Sequence, residues 1–195
     1  MGRVDLDTAW QRALSLAWDG FCARTTQVGA VVANENGQIV AQGQNRRQPA
    51  ATERQLSHCH IAHAQINALA RPPPDRRYEG HTLVMTLEPC CMCTGAIAQT
   101  AIRRVHFAGR DPYAGATRMP IGTPQALRRP LQVTGPVPDH YGWLAELLHL
   151  LWLLHHNALA PVLDAQRRGV PDAYAAAAAQ SIRDPFARWH GTGPP

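Results

Sequence analysis

The chain has 195 residues, about one domain's worth and enough to bury a sizeable single core, and 45% of them are hydrophobic. Its formal net charge of +5 rests on nineteen arginines with no lysine, scattered as pairs such as Arg46-Arg47, Arg103-Arg104 and Arg167-Arg168 rather than gathered into a stripe, so a nucleic-acid partner is permitted but not favoured. Five cysteines, three of them crowded into CCMC, argue against a secreted disulfide framework and for metal, and MGRVDLDTAW has no apolar segment of the signal-peptide kind, so a cytoplasmic location is expected.

Residues 8–22 carry apolar side chains at helical spacing (Ala9, Leu14, Leu16, Ala17, Trp18, Phe21) and predict an amphipathic first helix. VGAVVA, 28–33, is too uniformly apolar for a surface strand, and NENG at 34–37 turns the chain back through QIVAQG as a hairpin. A polar loop from Asn45 to Ala62 is long enough to suspect function. A helix is expected from about His63 to Ala70, stopped by the prolines of RPPPD. HTLVMTL, 81–87, predicts a buried strand, Pro89 opens a helix running through GAIAQTAI, and RVHFAG, 104–109, and LQVTG, 131–135, predict two more strands. The alternation of strand and helix argues for a three-layer α/β sandwich with parallel pairing in its second half.

From Tyr141 the composition turns to helix formers: a Leu-rich helix to about His156, another across 158–168, and an alanine run at 175–179. Glu146, His149, His155 and His156 interrupt the Leu-rich stretch, which makes a poor membrane span. It is apolar almost all round, so burial against the sheet or a second subunit is expected. We expect a homodimer on that ground, with C-terminal helices over the pocket mouth and Trp189 or Phe186 as candidate cover.

The chemistry concentrates at two places. Cys90 and Cys93 are three apart and reach one ion from one helix face, in a first turn where free N–H groups and the helix dipole favour thiolates. With His63 they give two sulfurs and one imidazole, leaving a tetrahedral zinc one position short, which is how catalytic zinc sites keep a water. A closed structural site would recruit Cys91, but adjacent helical residues diverge by about 100°. His58, Cys59 and His60 rival His63; they lie in the loop ahead of the helix rather than opening it.

HAQ from His63 and PCCMC from Pro89 resemble the H-x-E and P-C-x-x-C signature of the zinc-dependent cytidine deaminase superfamily. VGAVVANENG, GQN, HAQINAL, TLEPCCMCTGAI and RRVHFAGRDPYAGA extend the similarity over residues 8–137, towards the branch containing tRNA adenosine, guanine and fungal-type cytosine deaminases. The resemblance implies a three-layer α/β/α sandwich of the cytidine deaminase type with a five-stranded mixed sheet. It divides the chain into a deaminase domain, 1–140, and a helical extension, 141–195, packed on that domain or on a dimer partner.

It also implies roles. Asn45 would hydrogen-bond the base or sugar, the Ala64 N–H would contact the ring, and the Glu88 carbonyl, held extended by the following proline, would accept from the departing amino group. Asn45 is equally well an ordinary turn residue at a strand end. Hydrolytic deamination needs protons delivered to a ring nitrogen and to the leaving amine, and one carboxylate carries them in that family, at the place where this chain has Gln65. An amide carries no proton. Because ligands and pocket groups all remain, the expectation is a zinc-dependent deaminase of a small nucleobase or nucleoside in a Glu-to-Gln inactive form, introduced by substitution. The alternatives are a tRNA adenosine-to-inosine deaminase and a naturally inactive zinc-stabilised binding protein.

Overall fold

A computed structural model describes residues 6–47, 55–72 and 78–181. In chain order the elements are α1 (Asp7–Cys22), β1 (Gly29–Ala33), β2 (Ile39–Gln44), α2 (Ala64–Leu69), β3 (Thr82–Leu87), α3 (Cys91–Gln99), β4 (Arg104–Gly109), α4 (Pro124–Arg128), β5 (Gln132–Thr134), α5 (His140–His155), α6 (Ala160–Gly169) and α7 (Pro171–Ser181). The strands form one five-stranded mixed sheet in the order β2-β1-β3-β4-β5. β1 pairs antiparallel with β2 and β3, while β3–β4 and β4–β5 are parallel. This is the three-layer architecture the strand and helix alternation predicts.

The hairpin forms as the NENG turn dictates: Asn34 Oδ1 accepts from the N–H groups of Asn36 and Gln38, and Gly37 takes a φ of 80°. Alternation along the strands then sorts the layers. Ala30, Val32, Leu83, Met85, Val105 and Phe107 face α2 and α3, whose Ala64, Ala68 and Ile97 complete that core. Val31, Val84 and Ala108 face the other way, onto Ala9, Trp10, Ala13 and Leu14 of α1 and Ala145 of α5.

Two boundaries differ from expectation. α3 ends at Gln99 instead of continuing through Ile102, because Thr100 turns extended (ψ 176°) and its hydroxyl donates to the Ile97 carbonyl at 2.9 Å while accepting from the Ile102 N–H. α4 was not predicted; Thr123 caps it by accepting from the Ala126 N–H, with Pro124 at its first position.

The Leu-rich helix spends its apolar surface within the chain. Leu150 and Leu153 pack with Val170, Ala173 and Ala177 of α6–α7, and Leu147, Leu151 and Leu154 flank that cluster. None of the leucines of α5 is exposed; Trp143 is its exposed large apolar side chain. Phe186 and Trp189, the expected cover of the pocket mouth, lie outside the described residues. Among the described residues, no helix is long and apolar enough to cross a membrane.

One contact sets the position of α2. A Cβ on Gly43 of β2 would stand 2.2 Å from the Ala64 carbonyl oxygen and 2.4 Å from the Ala68 nitrogen, both backbone atoms. Helix and strand therefore touch main chain to main chain, and Gly43→Val is expected to destabilise the fold by about 1–3 kcal/mol or more through overpacking. Urea unfolding measures this, and an unchanged midpoint would mean that α2 is free to move off the sheet.

Candidate active site

The start of α2 and the start of α3 meet beside the carboxyl ends of β3 and β4. His63 is the residue capping α2 and Cys90 the residue capping α3, both in extended conformation, so these two ligand candidates sit just outside their helices, while Cys93 lies in the first turn of α3. Both helices aim free N–H groups and the positive end of the dipole at the same point, a setting that favours thiolate.

His63 Nδ1 lies 3.6 Å from Cys90 Sγ and 3.5 Å from Cys93 Sγ, and the three ligand atoms all fall within 4.8 Å of one another. A tetrahedral zinc with Zn–S of about 2.3 Å and Zn–N of about 2.0–2.1 Å places nitrogen and sulfur roughly 3.6 Å apart. The donor set thus fits a zinc ion in both chemistry and spacing. Cys93 donates to Cys90, and that hydrogen bond, aided by His63 and opposed by burial, pulls the Cys90 thiol down to about 3. The same hydrogen bond, with burial, pushes Cys93 up.

The rivals separate from this group. Cys91 is exposed, as its turn of the helix predicts. His60 Nδ1 is 2.9 Å from Arg47 Nη2, and His58 takes a positive φ of 55° in the loop. Among the described residues, His63, Cys90 and Cys93 form the potential metal group.

Gln65 is buried in the first turn of α2, its Oε1 3.5 Å from Cys93 Sγ and its Nε2 3.6 Å from Met85 Sδ. Both partners are sulfurs, weak acceptors or donors at best, so the amide is held beside the metal group without a strong polar tie. Asn67 on the same helix explains more of the HAQINAL motif: its amide donates to the carbonyls of Gln44 and Leu56 and accepts from the Leu56 N–H, pinning β2 and the 55–62 loop to α2.

A cavity of about 220 Å³ opens over this group, lined by His63, Gln65, Glu88 and Cys90 together with Asn45. That is below the roughly 300–1,000 Å³ of pockets for drug-sized ligands and suits a single ring system. Asn45 Oδ1 accepts from the Arg47 N–H as a turn residue does, and the residue is among those that line the cavity. Ala64 is fully buried at the head of α2, where its N–H has no partner within the helix. The Glu88 carboxylate turns away to accept from the Thr117 hydroxyl.

The rest of the wall escaped sequence reading. Asp111 follows β4 and accepts from the N–H groups of Tyr113 and Ala114 and from Gln166 Nε2 of α6. His149, Trp152 and Leu153 of α5 and Val162 of α6 complete the lining of the cavity. The signal was present in LLHLL, where an isolated histidine at a buried helical position is unexplained by packing.

The comparisons with known proteins come down to one family and a common fold. Residues 4–109 match the model of the cytidine and deoxycytidylate deaminase zinc-binding region. The chain is 38% identical over 114 residues to a tRNA(Ile)-lysidine synthase of Deinococcus deserti, an alignment covering 57% of this chain and 20% of the relative. It is 38% identical over 93 residues to the tRNA-specific adenosine deaminase of Bacillus subtilis, covering 46% of this chain and 53% of that enzyme. It therefore spans about a fifth of the length of the first relative and about half of the second. A solved guanine deaminase from Nitrosomonas europaea superposes with a TM-score of 0.56 at 23% identity, over 76% of this chain and 87% of that one, and shares the fold.

Proposed function

The chain belongs to the cytidine and deoxycytidylate deaminase zinc-binding family, and from that premise we propose that it is a hydrolytic deaminase of a free nucleobase or nucleoside, in a form that Gln65 leaves without its proton carrier. The observation that carries this reading is the small cavity lined by His63 and Cys90 of the metal group and walled also by α5 and α6 of the same chain. A zinc ion held by those three residues would supply a water acidified to near neutrality. The chain's own part is binding and proton movement. Asn45 and the Ala64 N–H offer donors to the ring, and the Glu88 carbonyl offers an acceptor to the amino group that leaves. Residue 65 stands where a proton would pass between water, ring nitrogen and amine, and its amide cannot take one.

A second reading, tRNA adenosine deamination, is favoured by the likeness to the Bacillus subtilis enzyme. One experiment separates the two: ammonia release by Gln65→Glu from cytosine, guanine, adenine, their nucleosides and tRNA. Release from a base or nucleoside is expected. Turnover confined to tRNA, with RNA binding that falls steeply with salt, would move the assignment to the second reading.

A homodimer remains part of the proposal, on a different face from the one the leucines suggest. With those covered by α6 and α7, the face proposed is the one beside β5, where the exposed side chains of Met119, Leu127 and Val133 line one shallow cavity, Leu127 at 68%. Light scattering at micromolar concentration is expected to give a dimer, and Leu127→Glu to give a monomer.

A further inference from the structure

α5 brings into the cavity an imidazole that the function above leaves without a task. His149 is 8% exposed and stands on the cavity wall, with Gln27 Nε2 2.9 Å from its Nδ1. Gln27 is 2% exposed, and its Oε1 is buried with no hydrogen-bond partner, so the imidazole is the polar contact its side chain makes. Burying two polar groups for one neutral hydrogen bond is unfavourable beside a pair of leucines, which are the residues α5 carries on either side at Leu148 and Leu150. The pair therefore needs a reason beyond packing.

Geometry supplies one. Gln27 Nε2 donates to Nδ1, which puts the ring proton on Nε2, and with Nδ1 taken by Gln27, a residue that does not line the cavity, Nε2 is the nitrogen left to meet a ligand. Burial lowers the His149 pKa against the opposing pull of Asp111, so the ring is neutral and offers a single N–H. The Asp111 carboxylate faces the same cavity and is fixed by Tyr113, Ala114 and Gln166. His63, Cys90 and Cys93 come from the α2–α3 layer, whereas His149 comes from the α1–α5 layer across the sheet. A ring bound with its amino carbon towards the metal group would then be met by His149 from the other layer.

We propose that His149, oriented by Gln27, is a specificity-determining residue whose Nε2–H donates to a carbonyl oxygen or ring nitrogen on the edge of the base remote from the amino group. The proposal rests on the cavity being the substrate site, but it concerns binding and can be tested without turnover. The probes are cytosine, guanine and adenine, titrated calorimetrically into the zinc-loaded chain as it stands.

The base that binds best is expected to lose about tenfold in affinity in His149→Leu, the worth of one hydrogen bond in a desolvated site. His149→Asn, which keeps an N–H donor, is expected to stay within about threefold, and Gln27→Leu, which frees the tautomer, to fall between. Zinc content should be the same in all of them; His149→Leu and Gln27→Leu each leave a buried partner unpaired and lower the melting temperature, so it is His149→Asn, which alters the packing yet keeps the affinity, that excludes a merely structural role. Equal affinity in parent and His149→Leu overturns the proposal, as does a parent that binds none of the three bases. Loss of binding in His149→Leu while Gln65→Glu releases no ammonia from any substrate would sink the deaminase reading and leave His149 as a ligand-recognising residue.

Discussion

Gln65→Glu is expected to raise the rate of ammonia release by about two to four orders of magnitude over the chain as it stands, with the gain in kcat rather than in KM. General acid–base catalysis is worth about 10²–10⁴, and a carboxylate at this position would act in more than one proton transfer, which places the gain near the upper end. The substitution is nearly isosteric, and the side chain of residue 65 makes its polar contacts with the sulfurs of Cys93 and Met85, of which the Met85 contact loses its N–H donor, so no strong polar contact is broken. Folding and zinc content should therefore be unchanged, and the difference between the two forms can be read as chemistry. Equal and substantial rates for both forms would mean that the proton travels by another group. A Gln65→Glu chain that holds zinc and binds a base yet releases no ammonia would favour the zinc-stabilised binding protein instead.

How much of this was legible in the sequence follows from which interactions are local. The strand at 28–33 announces itself by an uninterrupted apolar run and those at 81–87 and 104–109 by largely apolar ones, because both faces of a central strand are covered. The three metal-group residues are legible because each is tied to a local event, the opening of a helix. The rest of the cavity wall is not local at all. His149 is 122 residues from Gln27, and Asp111 is 55 from Gln166, so nothing near either residue in the chain tells of its partner. The same holds for the leucines of α5. Their number is plain in the sequence, but whether a sheet, α7 or a second subunit covers them is decided by tertiary packing.

Cys93→Ala is expected to abolish stoichiometric zinc and to lower the melting temperature, whereas Cys91→Ala leaves both as in the parent. Cys93 is fully buried, within ligand distance of Cys90 and His63, while Cys91, two positions earlier, is exposed. Two losses combine in Cys93→Ala. Removing a buried sulfur costs about 0.5–3 kcal/mol whether or not a metal is present. Removing one of three protein ligands also removes the stabilisation that metal binding to the folded state confers, and for a tightly held ion this is the larger part. A chelator separates them. It should lower the melting temperature of the parent and of Cys91→Ala to a common value, and have no effect on Cys93→Ala, whose remaining deficit is the packing loss alone. Zinc retained at full occupancy in Cys93→Ala would transfer the ligand role to Cys91 or to the 58–60 loop, and a chelator without effect on the parent would deny the metal any part in holding the starts of α2 and α3 together.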